Sequence, residues 1–555
     1  MRANQFVNVR QLLRDCTERH RDRTAFIIKK EGKYNNISFS DLRTDIDALG
    51  TYMLSAGMQG QRIAVIGPNS YEWLLVYLTV VCGVGVIIPL DNGLPDGELL
   101  TCLASSEADC IIADRTHKSV LEDLILSGKC NLQRIIYMDE LADHIEVGKR
   151  RLRYGDRAYI DAPIDNMAMS VLIFTSGTTS RSKAVMLSNL NIASNICALV
   201  MHEDIRKDDI NLALLPYHHT FGLMGQLVFI YQGATTAFCD GIRHIQKNFR
   251  EYGVTAFFCV PLIIESLHKN ILKKAQSSGK LEKMRKMQSL SRSLMKRGID
   301  IRRTLFRDVI EGLGGKLRLL ISGAAAVKPE VISDFHDWGI MAIQGYGMTE
   351  SSPVIAAENP ENLRPGSVGK PIPNVNVMIS APDSEGVGEI MVHGSNVMLG
   401  YYREPELTAE TIENGWLHTG DYGKIDRDGY LYVTGRKKNV VVLKNGKNVY
   451  PEEIEASINT LPYVAESLVF GAGSVENNDE DSIVAAEIVI ESGLDINEKT
   501  IWDDIKRINS KMPKYKHVKA LSITKEPMLR TATAKVKRQL EIEKVKLSNT
   551  LKRIR

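Results

Sequence analysis

The sequence predicts an α/β fold in two parts, and three observations carry that expectation. Short apolar runs alternate with helix-length amphipathic segments through the first two thirds of the chain. Loops rich in glycine, serine and threonine follow several of those runs. The pattern then changes, becoming strand-like with frequent glycine turns from Pro371 to Arg436 and mixed beyond it. At 555 residues the chain exceeds one hydrophobic core, so at least two domains are expected.

Eight strands are predicted in order: residues 24–29, 62–67, 85–90, 108–114, 134–139, 170–176, 255–261 and 317–323. Their near-continuous apolar character argues for largely parallel sheets covered by helices on both faces. The stretch from Trp73 to Leu90 approaches membrane-span length, but Gly83 and Gly85 split it and Pro89 closes it, so it reads as a buried helix followed by a core strand. Beyond Gly435, YPEEIEASI opens a helix with Pro451 in its first turn and Glu452 and Glu453 favoured by the helix dipole. An acidic loop, ENNDED (476–481), separates two further strand-like runs. The domain boundary is placed at Gly435/Arg436, giving domains 1–435 and 436–555.

Composition excludes several classes. Seventy basic against 67 acidic residues give a net charge of +3, too balanced for a dedicated nucleic-acid binder. All eight cysteines precede residue 260 without C-x-x-C spacing, as expected of core thiols in a reducing compartment and not of a zinc site. The N-terminus lacks the apolar core of a signal peptide, so a cytoplasmic location is expected.

The stretch Phe174 to Ser188, FTSGTTSRSKAVMLS, is the chemical centre of the reading. The hydroxyls of Thr175, Ser176, Thr178 and Thr179, the backbone around Gly177 and the cation of Lys183 have the composition of a phosphate holder. It is not a conventional P-loop: Ser182 stands where the second glycine would be, and Ala184 where the magnesium-binding hydroxyl would be. Three more unusual loops, PYHHTFG (216–222), GAAA (323–326) and GYGMTE (345–350), follow strands. Carboxyl ends of strands are where α/β folds bind ligands. Taken singly these residues also fit ordinary roles: Asp421 a turn aspartate, Glu350 a helix-start carboxylate, His219 a packed histidine beside His218.

Eight motifs in order resemble the adenylate-forming superfamily of acyl-CoA synthetases, peptide-synthetase adenylation domains and luciferases. They are FTSGTTSRSKAVMLS, LPYHHTFG, ISGAAAVKPE, QGYGMTESSPV, GSVGKPIP, GWLHTGDYGKIDRDGYLYVTGRKKN, NGKNVYPEEIE and RTATAKVKR. The resemblance implies a large N-terminal domain of αβαβα-type packed sheets with a small β-barrel-like subdomain, and a small mobile α+β C-terminal domain. It also implies a two-step reaction. A carboxylate attacks the α-phosphorus of ATP to give an acyl-adenylate and pyrophosphate, and a thiol then displaces AMP.

On this resemblance the loop from Thr175 to Lys183 holds the β- and γ-phosphates, with Thr175 also near the metal. Thr349 contacts the α-phosphate and Glu350 ligates Mg2+, a hard cation suited to oxygen. Tyr346 stacks on adenine beside Gly347 and the backbone of Gly323, Ala324 and Ala325. Asp421 accepts the ribose hydroxyls with help from Arg436, and His219 borders the acyl site. Lys535 reaches the carboxylate and α-phosphate during adenylation. Lys438 is the hinge about which the small domain turns, and Gly446 then approaches the thiol tunnel.

Departures from the family pattern are small: Ser180, Ser182 and Ala184 in the phosphate loop, Asn189 for a frequent histidine, and Ala534 before the C-terminal lysine. None removes a key charge or hydroxyl. Residues 266–303, with twelve Lys/Arg and two Asp/Glu, resemble the same region of long-chain fatty acyl-CoA synthetases. They fit either a solvated hairpin or an amphipathic contact with an anionic bilayer. The expected activity is therefore a fatty acid–CoA ligase using ATP, Mg2+ and CoA, with fatty acid and CoA as partners and no nucleic acid. Two alternatives stay open: a ligase that loads an acyl carrier protein, and a non-catalytic nucleotide or fatty-acid binding protein.

Overall fold

A computed structural model describes residues 6–175, 183–361, 363–443, 447–473, 483–491, 493–530, 536–548 and 550–553. Ser176, Gly177, Thr178, Thr179, Ser180, Ser182, Gly446, Ala534, Lys535 and the acidic loop 476–481 lie outside these residues. The chain forms two compact units. The larger takes Met1–Met378, Met391–His418 and Arg427–Leu431, and the smaller takes Ile379–Ile390, Thr419–Asp426 and Tyr432–Arg555.

All eight predicted strands are present, and they distribute over two large sheets. In the first, the strands Met341–Gly347, Leu319–Ser322, Ala256–Cys259, Ile210–Ala213, Thr235–Phe238 and Thr24–Lys30 lie side by side, parallel throughout. In the second, Met169–Thr175, Val86–Leu90, Arg62–Ile66, Cys110–Ala113 and Arg134–Tyr137 are likewise parallel neighbours. Their side chains are apolar on both faces, as a doubly covered sheet requires. The mixed α/β architecture implied by the resemblance is the observed one.

The apolar stretch after Trp73 behaves as read. It forms the helix Tyr71–Thr79, a wide turn Val80–Val84 and the buried strand Val86–Leu90. Gly83 has φ +132°, and a Cβ there would lie 2.1 Å from the Arg10 guanidinium. Arg10 uses that room to donate to the carbonyls of Cys82 at 2.7 Å and Ala162 at 2.6 Å. Among the described residues no helix is long and apolar enough to cross a membrane. The eight cysteines are free thiols, six of them buried. Burial pushes Cys16, Cys82, Cys102, Cys110 and Cys259 up to about 12.

One strand was not among those expected: Lys183–Ser188, which follows the Thr175 to Lys183 loop and lies antiparallel to Met169–Thr175, with Lys183 opposite Thr175. The β-branched and aliphatic residues Val185 and Leu187 face the core there, and the flanking hydroxyls and lysines conceal that pattern in the sequence.

Asn189, noted above as a departure, opens the next helix, Asn189–His202. Its amide donates to the Val81 carbonyl at 3.1 Å and the Ser170 hydroxyl at 3.0 Å, and its oxygen accepts from the Val9 N–H at 3.1 Å. Asn189→Ala should leave these buried groups without partners, at about 1–3 kcal/mol for each one stranded. A clearly lowered thermal unfolding midpoint is the expected result, and an unchanged midpoint would refute this role.

The basic segment 266–303 folds as helices. Pro261–Ser277 and Leu281–Met295 pack with the helix Pro329–Asp337. Ile264, Leu267, Ala275 and Met284 enter the large-unit core. His268 and Gln288 both bind Asp334, at 2.7 and 2.8 Å, and Arg292 pairs with Asp337. Its apolar stripe therefore packs inward, while Leu290, Ile299 and Ile301 remain exposed.

The small unit contains a four-stranded sheet ordered Val464–Ala472, Ile483–Ile490, Ala520–Thr524 and Lys552–Arg553. One face packs on Ile454, Ile458, Ile501 and Ile505 of two helices, the other on Val545 and Met528. This is the α+β character expected of the C-terminal part.

Candidate active site

The strand hairpin described above sets the first part of the site. Pairing Thr175 with Lys183 fixes the base of the segment between them, and the Thr175 hydroxyl lies 3.4 Å from the Lys183 carbonyl. Beside the hairpin runs the short strand Gly400–Tyr401, with Tyr401 opposite Val185. The Lys183 ammonium sits over the Tyr401 ring, 4.9 Å from its centre, a cation–π contact. The Tyr401 hydroxyl in turn donates to Glu350 Oε1 at 2.8 Å. Burial and the Glu350 carboxylate push this phenol well above its ordinary value, so it remains a donor.

Glu350 is buried at 9 % exposure in a short turn, Thr349–Ser351. The turn is held by backbone and side chain. The Met398 N–H donates to the Glu350 carbonyl at 2.9 Å, and the Asn396 amide donates to the Ser351 carbonyl at 3.0 Å. The Thr349 hydroxyl lies 3.3 Å from that of Thr220, the first residue of the helix Thr220–Gln232. A continuous line of contacts thus runs from Lys183 through Tyr401, Glu350 and Thr349 to a helix N-terminus, which favours anions.

Two neighbouring strand ends complete this face. Leu319–Ser322 and Met341–Gly347 are parallel neighbours, so Gly323, Ala324 and Ala325 emerge beside the segment carrying Tyr346 and Gly347. A Cβ on Gly323 would lie 2.7 Å from the Phe221 ring, so glycine there lets the helix close against the strand. Ala324 has φ +72° and is exposed with Ala325, a strained backbone of the kind found at binding sites. Tyr346 is half-buried opposite Ala356.

His219 is the N-cap residue of the helix beginning at Thr220; its ring is exposed and stacks at a tilt 4.2 Å from that of His218. His218 is the more buried of the two. Burial and His219 push it down to about 4, so it is neutral near pH 7. Behind Thr220, an apolar cleft opens between Phe221, Met224 and Val228 of the helix and Ile321 and Val354 of the strands.

In the small unit, Asp421 and Arg436 form an ion pair at 3.2 Å, with Asp421 almost fully buried. Gly420, at φ +68°, precedes Asp421 and donates its N–H to Glu389 at 3.2 Å. Lys437 pairs with the same Glu389 at 2.9 Å. Lys438 is exposed on the following turn, Lys437–Asn439.

The AMP-binding enzyme family model matches residues 13–402, and the AMP-binding enzyme C-terminal domain matches residues 438–546. The chain belongs to the AMP-binding enzymes. This AMP-binding enzyme is 26 % identical over 489 residues to the long-chain-fatty-acid–CoA ligase FadD15 of Mycobacterium bovis, covering 82 % of this chain and 79 % of the relative. It is 29 % identical over 478 residues to long-chain-fatty-acid–CoA ligase 6 of Mus musculus, covering 80 % and 69 %. The crystal structure of ATP-bound MatB from Rhodopseudomonas palustris superposes with a TM-score of 0.76 at 25 % identity, covering 97 % of this chain and 99 % of that one.

The described residues of the AMP-binding enzyme contain no group of three or more His, Cys, Asp or Glu able to hold a metal by themselves. The single buried carboxylate of Glu350 among hydroxyls and a lysine fits Mg2+ instead, which takes one or two carboxylates and fills its shell with phosphate oxygens and water. Sequence reasoning missed Tyr401, Thr220 and Asn396, the residues that position Glu350 and Thr349. Tyr401 stands in HGSNVMLGYY (393–402), within the glycine-turn region from Pro371 to Arg436, but only the fold shows which of its residues turns toward the site.

Proposed function

We propose that this AMP-binding enzyme joins a fatty acid to coenzyme A, with ATP and Mg2+, through an enzyme-bound acyl-adenylate. The observation that supports it most directly is the contact line from Lys183 to Thr220, which leads from a phosphate-suited hairpin into an apolar cleft. Its curated relatives are named for long-chain fatty acids. Mg2+ bound by Glu350 would neutralise phosphate charge. Thr349 would donate to the α-phosphate, and Lys183 with the hydroxyls of Thr175, Ser176, Thr178 and Thr179 would hold the departing pyrophosphate beside the Gly177 backbone.

Tyr346, Gly347 and the segment Gly323 to Ala325 would enclose adenine. Asp421, oriented by Arg436, would accept the ribose hydroxyls, a carboxylate having lone pairs to spare beyond one ion pair. His219 would border the acyl carboxylate. In the second domain, taken as 436–555 after a first of 1–435, Lys535 would serve adenylation. Rotation about Lys438 would then bring Gly446 to the thiol tunnel.

A second reading concerns surfaces. Exposed Leu290, Ile299 and Ile301 lie among the basic residues of 266–303, a composition suited to peripheral contact with an anionic bilayer. The basic C-terminal face, with fourteen Lys/Arg and three Asp/Glu from 511 to 555, also suits an acidic acyl carrier protein. Carboxylate-dependent pyrophosphate release should be assayed from acetate to stearate and with aryl acids, each with CoA, a phosphopantetheinylated carrier or neither. Sustained turnover with fatty acids and CoA is expected; turnover that requires the carrier would replace CoA as the acceptor.

A further inference from the structure

In the small unit, the chain on either side of Lys535 is drawn together at one base. Arg530 and Val536 pair there as an antiparallel bridge, and the Lys537 N–H donates to the Leu529 carbonyl at 2.8 Å. Lys535 falls between these pairs in sequence, two positions before Lys537.

A single residue holds both arms of that base. Glu541 lies in the first turn of the helix Arg538–Ser548, where its N–H donates to the Lys537 carbonyl at 3.0 Å. Its side chain turns to the other arm: Oε2 accepts from the Leu529 N–H at 2.7 Å, and Oε1 accepts from the Lys544 ammonium at 2.9 Å. Leu529 is thereby bonded through its N–H and its carbonyl alike. Glu466, on the strand Val464–Ala472, steadies the incoming arm by accepting from the Met528 N–H at 3.0 Å and pairing with Arg530.

Packing alone does not call for a carboxylate at 541. The residue is fully buried, and the layer between this helix and the sheet is otherwise apolar, built from Leu468, Phe470, Val489, Met528 and Val545. A buried carboxylate is costly unless its oxygens find partners. A second one, Glu487 on the adjacent strand, is pushed up to about 7 by burial, with Glu541 adding. Here the partners that Glu541 finds are the main chain at the base of the segment and one lysine of its own helix.

We infer that Glu541 is a positioning residue for adenylation, fixing the two ends of the segment that contains Lys535. The inference rests on the role proposed for Lys535. A reacting group displaced by about 1 Å can lose on the order of 10²-fold in rate, so a side chain that touches no substrate can still govern this step. Thioester formation follows after Lys535 has acted and does not draw on the anchor.

The test measures single-turnover rates of both half-reactions, palmitate with ATP and preformed palmitoyl-adenylate with CoA, in the full-length enzyme and in Glu541→Leu, Glu541→Asp, Glu541→Gln and Lys535→Ala. Leucine fills the space without an acceptor, aspartate draws the acceptor back by one methylene, and glutamine keeps an oxygen for Leu529. The ratio of adenylation to thioester rate is taken within each variant, so a loss of folded protein cancels. That ratio should fall by about 10- to 100-fold in Glu541→Leu, by severalfold in Glu541→Asp, and stay within about threefold of wild type in Glu541→Gln. An unchanged ratio in Glu541→Leu and Glu541→Asp, or a fall in Glu541→Gln as large as in Glu541→Leu, would overturn this inference alone, provided that Lys535→Ala lowers the ratio. An unchanged ratio in Lys535→Ala would overturn the role proposed for that lysine, and this inference with it.

Discussion

Lys535→Ala should lower acyl-CoA formation from ATP and palmitate by two to three orders of magnitude, while thioester formation from preformed acyl-adenylate stays largely intact. The reason is electrostatic. A carboxylate and a triphosphate are both anions, and negative charge gathers on the α-phosphoryl oxygens as they meet. Removing one well-placed donor from such a centre costs on the order of 10²–10³ in rate.

Basic residues near Lys535 in sequence sharpen the test, because they have structural work: Arg530 pairs with Glu466 and Arg538 with Glu455 at 2.7 Å. Arg538→Ala should therefore weaken the small unit, whereas Lys535→Ala should act on the first half-reaction. Single-turnover assays of each half-reaction decide it. Equal loss in both would remove Lys535 from the role proposed for it.

Glu350→Gln should reduce pyrophosphate release at least a hundredfold and raise the Mg2+ concentration needed for half-maximal rate. Glutamine keeps the shape and still offers an oxygen to the Tyr401 hydroxyl, now donating to Glu350 at 2.8 Å, so the change removes charge and little else. Tyr401→Phe should have a smaller effect, about tenfold, since it frees the carboxylate without neutralising it. A Mg2+ titration of both variants reads the difference. Near-normal activity with an unchanged Mg2+ requirement in Glu350→Gln would refute its metal role.

How far the sequence reached can be judged from particular residues. The parallel strands were legible because burial on both faces leaves continuous runs such as RIAVI and CIIA, which little else produces. Gly83 and Gly85 were legible as a break because glycine marks a turn where a side chain cannot fit. Lys183–Ser188 was not, since it is short, is bounded by the polar Lys183 and Ser188, and its pairing with Met169–Thr175 is a tertiary fact.

The site divides the same way. Thr349, Glu350, Asp421 and its partner Arg436 stand in motifs and could be named, but the residues that hold Thr349 and Glu350 could not. Tyr401 meets Glu350 across 51 positions of sequence, and Thr220 meets Thr349 across 129. The compact units are also discontinuous in sequence, with residues 379–390 and 419–426 grouped with the C-terminal part. Composition along the chain yields one boundary, whereas strand pairing joins segments far apart.

In the proposed reaction the carboxylate attacks the α-phosphorus. A fatty acid labelled with heavy oxygen in its carboxyl group tests this directly, by mass analysis of the products after turnover with ATP and CoA. Attack at the α-phosphorus puts one labelled oxygen in AMP and none in pyrophosphate, because the adenylate leaves its bridging oxygen on phosphorus when the thiol takes the acyl group. Label in inorganic phosphate, with ADP as the other product, would mean attack at the γ-phosphorus and would contradict it.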